Sequence, residues 1–335
     1  MFRIIYMYIG NEIKMKMDSN SDTSKEVNIE EKVWNMISID LGGPTKNIVW
    51  FSNNQKFVCS VLFDGKYCIA MVNCKENEKK YIEAHSQEIL SIALSTDDKV
   101  IASASRDDTI KLWDQEGKEI KCLEAKKGYV FCVTFQNKGS LLASTFNDGC
   151  AILWDIKTGE KVYEFETIAK TPHYIAFSSN GQTIALNRQI GIIQLWNIEN
   201  PTSPTLQRNL RVNDVHVNCI QFSYQKNMIA LGLQNNKIKI WNLDNEKTKV
   251  GVFSHDHKGA ITSLAFSHDD EMLLSASTDQ TVKLSSFKDN NLKLLVDFIS
   301  SSTGDVYSVA FSKKDIVLAW SEDSTVKLWR PKPAF

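Results

Sequence analysis

Residues 101–114, IASASRDDTIKLWD, decide the fold. On the left arm Ile101, Ser103 and Ser105 alternate, and on the right Ile110 and Leu112 alternate with Lys111 and Trp113. Period-two alternation with β-branched and aromatic residues specifies strand. Asp107-Asp108 between the arms supplies the turn, because a short carboxylate accepts hydrogen bonds from nearby backbone amides. A single hairpin of this kind is marginal in water. Its recurrence is what carries weight.

The hairpin returns as LLASTFNDGCAILWD (141–155), TIALNRQIGIIQLWN (183–197), MIALGLQNNKIKIWN (228–242), MLLSASTDQTVKLSS (272–286) and IVLAWSEDSTVKLWR (316–330). The equivalent tryptophan positions are 113, 154, 196, 241, 285 (here Ser) and 329, in steps of 41, 42, 45, 44 and 44 residues. A short strand precedes each copy, as in ILSIALS (89–95), VFCVTFQ (130–136) and VYSVAFS (306–312). A divergent first copy is NIVWFS (47–52), KFVCSVL (56–62) and YCIAMVN (67–73). A fourth segment such as KEIKCLE (118–124) follows the tryptophan. Seven copies with a period of about 40–45 residues and four strands each resemble the WD-repeat β-propeller family. The resemblance covers about residues 33–330.

That resemblance implies a toroid of radial blades around a channel: all-β, seven blades of four antiparallel strands. The last copy runs into Pro331-Lys332-Pro333, and proline does not continue a sheet interior. KVWNMISIDL (32–41) is a strand without a blade. Pairing it with Thr325–Trp329 removes two free edges and closes the ring. The expected division is therefore a flexible N-terminal arm over 1–31, polar and mixed in charge from residue 11, and a propeller over 32–335.

Composition narrows the functional classes. The chain has 335 residues, 43% hydrophobic and 24% charged, with a net charge of −1. That length carries a sizeable core, and that charge argues against direct, sequence-independent nucleic-acid contact. Seven cysteines with no CxxC pair speak against a disulfide framework or a zinc site and for a reducing compartment, cytoplasmic or nuclear. No stretch reaches the ~18 apolar residues of a membrane span, and the apolar run from Phe2 to Gly10 lacks a small-residue cleavage site. The two histidines of His255-Asp256-His257-Lys258 have no third ligand near them in sequence. No cofactor motif of the GxxxxGK or HExxH kind is present.

The family resemblance assigns the repeated polar residues to internal bracing. His85, Ser103, Asp107 and Trp113 match a hydrogen-bonded set in which Asp takes the imidazole N–H and Ser links imidazole to indole. His257, Ser275 and Asp279 form a second set, with Ser285 in place of its tryptophan. Ser144, Asp148 and Trp154 keep part of it beside Lys126, and Asp323 and Trp329 less. Histidine, serine and carboxylate together invite a hydrolase reading, but neither a nucleophile turn nor oxyanion donors accompany them.

With no catalytic constellation, the expectation is a non-enzymatic scaffold or adaptor, a monomeric propeller within a larger complex that binds several proteins. The alternative is a substrate-receptor or structural subunit of an RNA-processing or chromatin complex. The resemblance places docking on the face where innermost strands begin. Candidates there are Arg106, Lys126, Lys127, Tyr129, Phe131, His173, His216, Asp305, Tyr307 and Glu322. Arg106 with Tyr129, Phe131, Lys126 and Lys127 forms a basic and aromatic patch suited to an acidic or phosphorylated peptide.

Overall fold

In the computed structural model the described residues are 4–9, 12–17, 34–165, 174–189, 191–212, 215–244, 249–253, 257–288, 291–299, 304–312, 318–322 and 324–331. They form antiparallel sheets, and in the six four-stranded ones the strands pair in chain order. The first sheet comprises Thr45–Trp50, Lys56–Phe63, Lys66–Asn73 and Glu78–His85. In the second, Ile89–Leu94, Ile101–Ser105, Thr109–Trp113 and Glu119–Glu124 carry the stretch quoted above. The third begins at Val130, the fourth at Ile175, the fifth at Val217 and the sixth at Ile261. A closing sheet holds Ser308–Phe311, Leu318–Glu322 and Thr325–Pro331. The innermost strands touch one another in a closed ring around the axis.

Two expectations meet corrections here. The structure has six four-stranded blades, not seven. The remaining, closing sheet is six-stranded, because Trp34–Asp40 is followed outward by a hairpin of Glu12–Met17 and Ile4–Ile9. Of the 1–31 stretch expected as a flexible arm, residues 4–9 and 12–17 are therefore strands, and the rest lies outside the described residues. Trp34–Asp40 pairs with the Thr325–Pro331 strand from Trp34↔Pro331 to Asp40↔Thr325. The hairpin attaches to it through Glu12↔Asn35 and Ile13↔Trp34.

The core lies between sheets rather than within one. Each hydrophobic cluster joins two neighbours: Trp113 packs among first-sheet residues including Val58 and Ile69, and Trp154 among second-sheet residues including Leu112 and Leu123. Phe57, Phe146, Phe165 and Phe266 are completely or almost completely buried. Cys132 and Cys219 are half-buried and pack against two of these clusters. Side chains also tie the ring: Ser91 Oγ accepts from Val133 N–H at 3.2 Å, Ser263 Oγ from Val309 at 3.3 Å and Ser308 Oγ from Ile48 at 3.2 Å.

Innermost strands of five sheets open with a bulge, at Lys46/Ile48, Ile89/Ser91, Val130/Cys132, Val217/Cys219 and Ile261/Ser263. A bulge kinks the strand and re-aims the residues beside it. It falls at one end of the channel, the end where candidate docking residues were expected.

Candidate functional site

The second-sheet hairpin turns at Arg106-Asp107-Asp108, and Asp108 sits in the left-handed region at φ 68°. A short acidic residue tolerates that conformation. The turn is clamped from below. Asp107 Oδ2 lies 2.9 Å from His85 Nδ1 and accepts from Ser86 N–H at 3.1 Å, while Oδ1 accepts from Thr109 Oγ1 at 2.7 Å. His85 Nε2 meets Ser103 Oγ at 2.7 Å, and Ser103 Oγ accepts from Trp113 Nε1–H at 2.9 Å. Burial works against charge on Asp107, but the bonds from His85 and Thr109 outweigh it and hold the carboxyl well below the ordinary carboxylate range. His85 and Ser103 are buried and fully engaged, so this group is bracing rather than an open reaction site.

The sixth sheet repeats the clamp: His257 Nδ1 to Asp279 Oδ2 at 3.1 Å, His257 Nε2 to Ser275 Oγ at 2.8 Å, and Thr281 Oγ1 donating to Asp279 Oδ1 at 2.6 Å. Its Ser285, in the tryptophan position, is buried, and its hydroxyl has no hydrogen-bond partner among the described residues. In the third sheet Trp154 Nε1–H donates to Ser144 Oγ at 2.8 Å and Asp148 accepts from Cys150 N–H at 2.9 Å. Thr109 and Thr281 were absent from the sequence reading. The D-x-T spacing after each turn was their signal, repeated at Asp323-Ser324-Thr325. Trp329 is buried in the cluster between the sixth and closing sheets, and Asp323 lies outside the described residues.

This bracing holds Arg106 at the surface, its side chain 47% exposed. Arg106 Nε lies 2.9 Å from Glu88 Oε2, and its guanidinium covers the Tyr129 ring at 5.5 Å. Tyr129 meets Phe131 edge-on at 5.9 Å. The other Glu88 oxygen, Oε1, holds Lys46 Nζ at 2.6 Å, and Lys46 lies over the Tyr307 ring at 5.1 Å. Tyr307, Lys46, Glu88, Arg106 and Tyr129 thus form one chain of contacts across the closing, first, second and third sheets.

Not all candidates join it. Lys127 is drawn to Glu164 at 2.8 Å and Asp148 at 3.8 Å, within its own sheet. Lys126 is exposed, at φ 54°, on a recess of about 390 Å³ shared with Asp107, Asp108 and Glu124. His216 is exposed on the fifth sheet and Asp305 half-buried on the closing one. His173 and the Glu322 side chain lie outside the described residues, as do His255 and Asp256. Lys46 and Glu88 were missed. Glu88 directly precedes its innermost strand, as Tyr129 does, and that repeat position was its signal.

The other end of the channel opens into a cavity of about 590 Å³. Trp50, Leu94, Tyr224, Phe266, His268 and Phe311 line it, and Tyr224 stacks on His268 at 4.3 Å. Among the described residues no cluster of ligating side chains suited to a metal ion occurs, and no helix is long and apolar enough to cross a membrane.

Comparison with known proteins gives consistent matches. A family model described as the IFT122 first beta-propeller matches residues 47–330. The chain is similar to eukaryotic translation initiation factor 3 subunit I of Aspergillus terreus, 25% identical over 250 residues, which is 71% of this chain and 73% of that protein. It is similar to the transcriptional corepressor LEUNIG_HOMOLOG of Arabidopsis thaliana, 24% identical over 211 residues, 63% of this chain and 26% of the corepressor. It thus spans only about a quarter of that relative's length. Small ribosomal subunit protein RACK1y of Oryza sativa subsp. japonica is 31% identical over 100 residues, 30% of this chain and 29% of that protein. Repeated tryptophan-ended hairpins, radial sheets with inter-sheet cores and a family match across most of the chain lead to one conclusion: the chain belongs to the WD-repeat β-propeller family, in the group described as the IFT122 first beta-propeller.

Proposed function

We propose that the chain is a non-enzymatic adaptor that binds segments of partner proteins on the face where its innermost strands begin. The observation that supports this is the chain of contacts from Tyr307 through Lys46, Glu88 and Arg106 to Tyr129. It presents tyrosine and arginine, the residue types that anchor interfaces, and the turn that carries Arg106 is held by buried bonds. The relatives' names point the same way: a subunit of an initiation factor, a ribosomal subunit protein and a corepressor. An intracellular setting and several partners follow from the same reading.

The test is recovery of partners from the source cell on wild-type protein and on an Arg106→Glu, Tyr129→Ala variant. The variant is expected to melt at the wild-type temperature and lose most partners. Equal recovery discards this surface. The balanced net charge of −1 disfavours the RNA-processing alternative; salt-dependent binding of plain RNA promotes it.

A further inference from the structure

We propose that Arg106 takes a carboxylate from an acidic segment of the partner, so that the surface is a reader of glutamate- or aspartate-rich peptide. The proposal rests on the adaptor reading and names the chemistry of what it binds. Arg106 engages Glu88 through Nε, and its two terminal nitrogens have no hydrogen-bond partner among the described residues. Those two nitrogens form the planar fork that matches a carboxylate bidentately. Tyr129 lies under the guanidinium and Glu88 holds its Nε, so the fork is fixed before a ligand arrives. Less rotamer freedom is then lost on binding.

A phosphate dianion calls for more than one free cation. Beside the fork, Lys46 is held by Glu88, and Lys126 shares its recess with Asp107, Asp108 and Glu124. The nearby cation Lys127 is already held by Glu164 and Asp148. Phe131, edge-on to Tyr129, offers apolar surface next to the fork for a hydrophobic neighbour of the acidic residue.

The experiment uses the full chain and a dye-labelled hexaglutamate peptide, read by fluorescence anisotropy, with hexaglutamine as the neutral probe. Hexaglutamate is expected to bind more tightly than hexaglutamine. Arg106→Lys keeps the charge but not the fork and is expected to weaken hexaglutamate binding about tenfold. Glu88→Gln releases a second cation and is expected to tighten it. Lys258→Gln, an exposed lysine on the same face of the sixth sheet, is expected to leave it unchanged. Equal binding of the two probes, or an Arg106→Lys variant that binds as wild type, overturns the proposal. A phosphoserine-substituted probe that binds more than tenfold tighter than hexaglutamate also overturns it, in favour of a phosphate reader. If hexaglutamate fails while the Arg106→Glu, Tyr129→Ala variant still loses partners in the recovery experiment, the carboxylate assignment falls and the adaptor reading stands.

Discussion

In the second sheet Ser103 Oγ takes both the His85 imidazole and the Trp113 indole; in the sixth, Ser275 Oγ takes His257 and, among the described residues, no indole, because Ser285 stands where the tryptophan would be. The His–Asp–Thr clamp keeps nearly the same geometry in both. The third sheet shows the converse, with Ser144 and Trp154 bonded while Lys126 replaces the histidine. The bracing therefore has two separable parts. One fixes the turn that presents Arg106, and the other seals the gap to the preceding sheet with an indole.

The largest test of that separation is Trp113→Ser, which imposes the sixth-sheet pattern on the second. Losing a buried tryptophan side chain is expected to cost about 3–5 kcal/mol in urea unfolding. A cost under about 1 kcal/mol would show that the indole seals nothing. Next is Ser103→Ala against Ser275→Ala. The first orphans two buried donors or acceptors and is expected to cost about 2–4 kcal/mol; the second orphans one and is expected to cost about half as much. Equal costs would break the comparison.

Acid should weaken both sheets alike. Asp107 and Asp279 are each held well below the ordinary carboxylate range, against burial, by His and Thr bonds. A depressed carboxyl adds stability above its unfolded pKa of about 4, and that stability is lost as pH falls toward the folded value. Urea midpoints of the wild type should thus fall steadily below about pH 4. Those of an Asp107→Asn, Asp279→Asn variant should start lower and depend less on pH across that window; parallel curves would contradict the linkage. The smallest effect is expected from Ser285→Ala. Removing a buried hydroxyl that bonds nothing among the described residues should change stability by under about 0.5 kcal/mol, or raise it.

The repeat, the hairpins and the ring closure by Trp34–Asp40 were legible because alternation and a period of about 40–45 residues are properties of the chain itself. The blade count was not. Residues 4–9 and 12–17 join the closing sheet through only two paired positions, Asn35 and Trp34, a contact that composition does not reveal. The bracing residues His85, Ser103, Asp107 and Trp113 were legible from family spacing, but Thr109 was not, since a threonine two residues past a turn reads first as a strand former. The surface was half legible. Arg106, Tyr129 and Phe131 stand at repeat positions. Lys46 and Glu88 are 42 residues apart, one repeat, and meet only once the first and second sheets lie side by side.

The central claim is that partners dock where the innermost strands begin. A photo-cross-linking residue placed at the exposed Lys126, beside the Arg106 turn, or at Lys138, which lines the cavity at the opposite end of the channel, tests it directly. Partners in source-cell extract should cross-link from position 126 and not from 138. Cross-links from 138 alone would place docking at the opposite end and contradict the account.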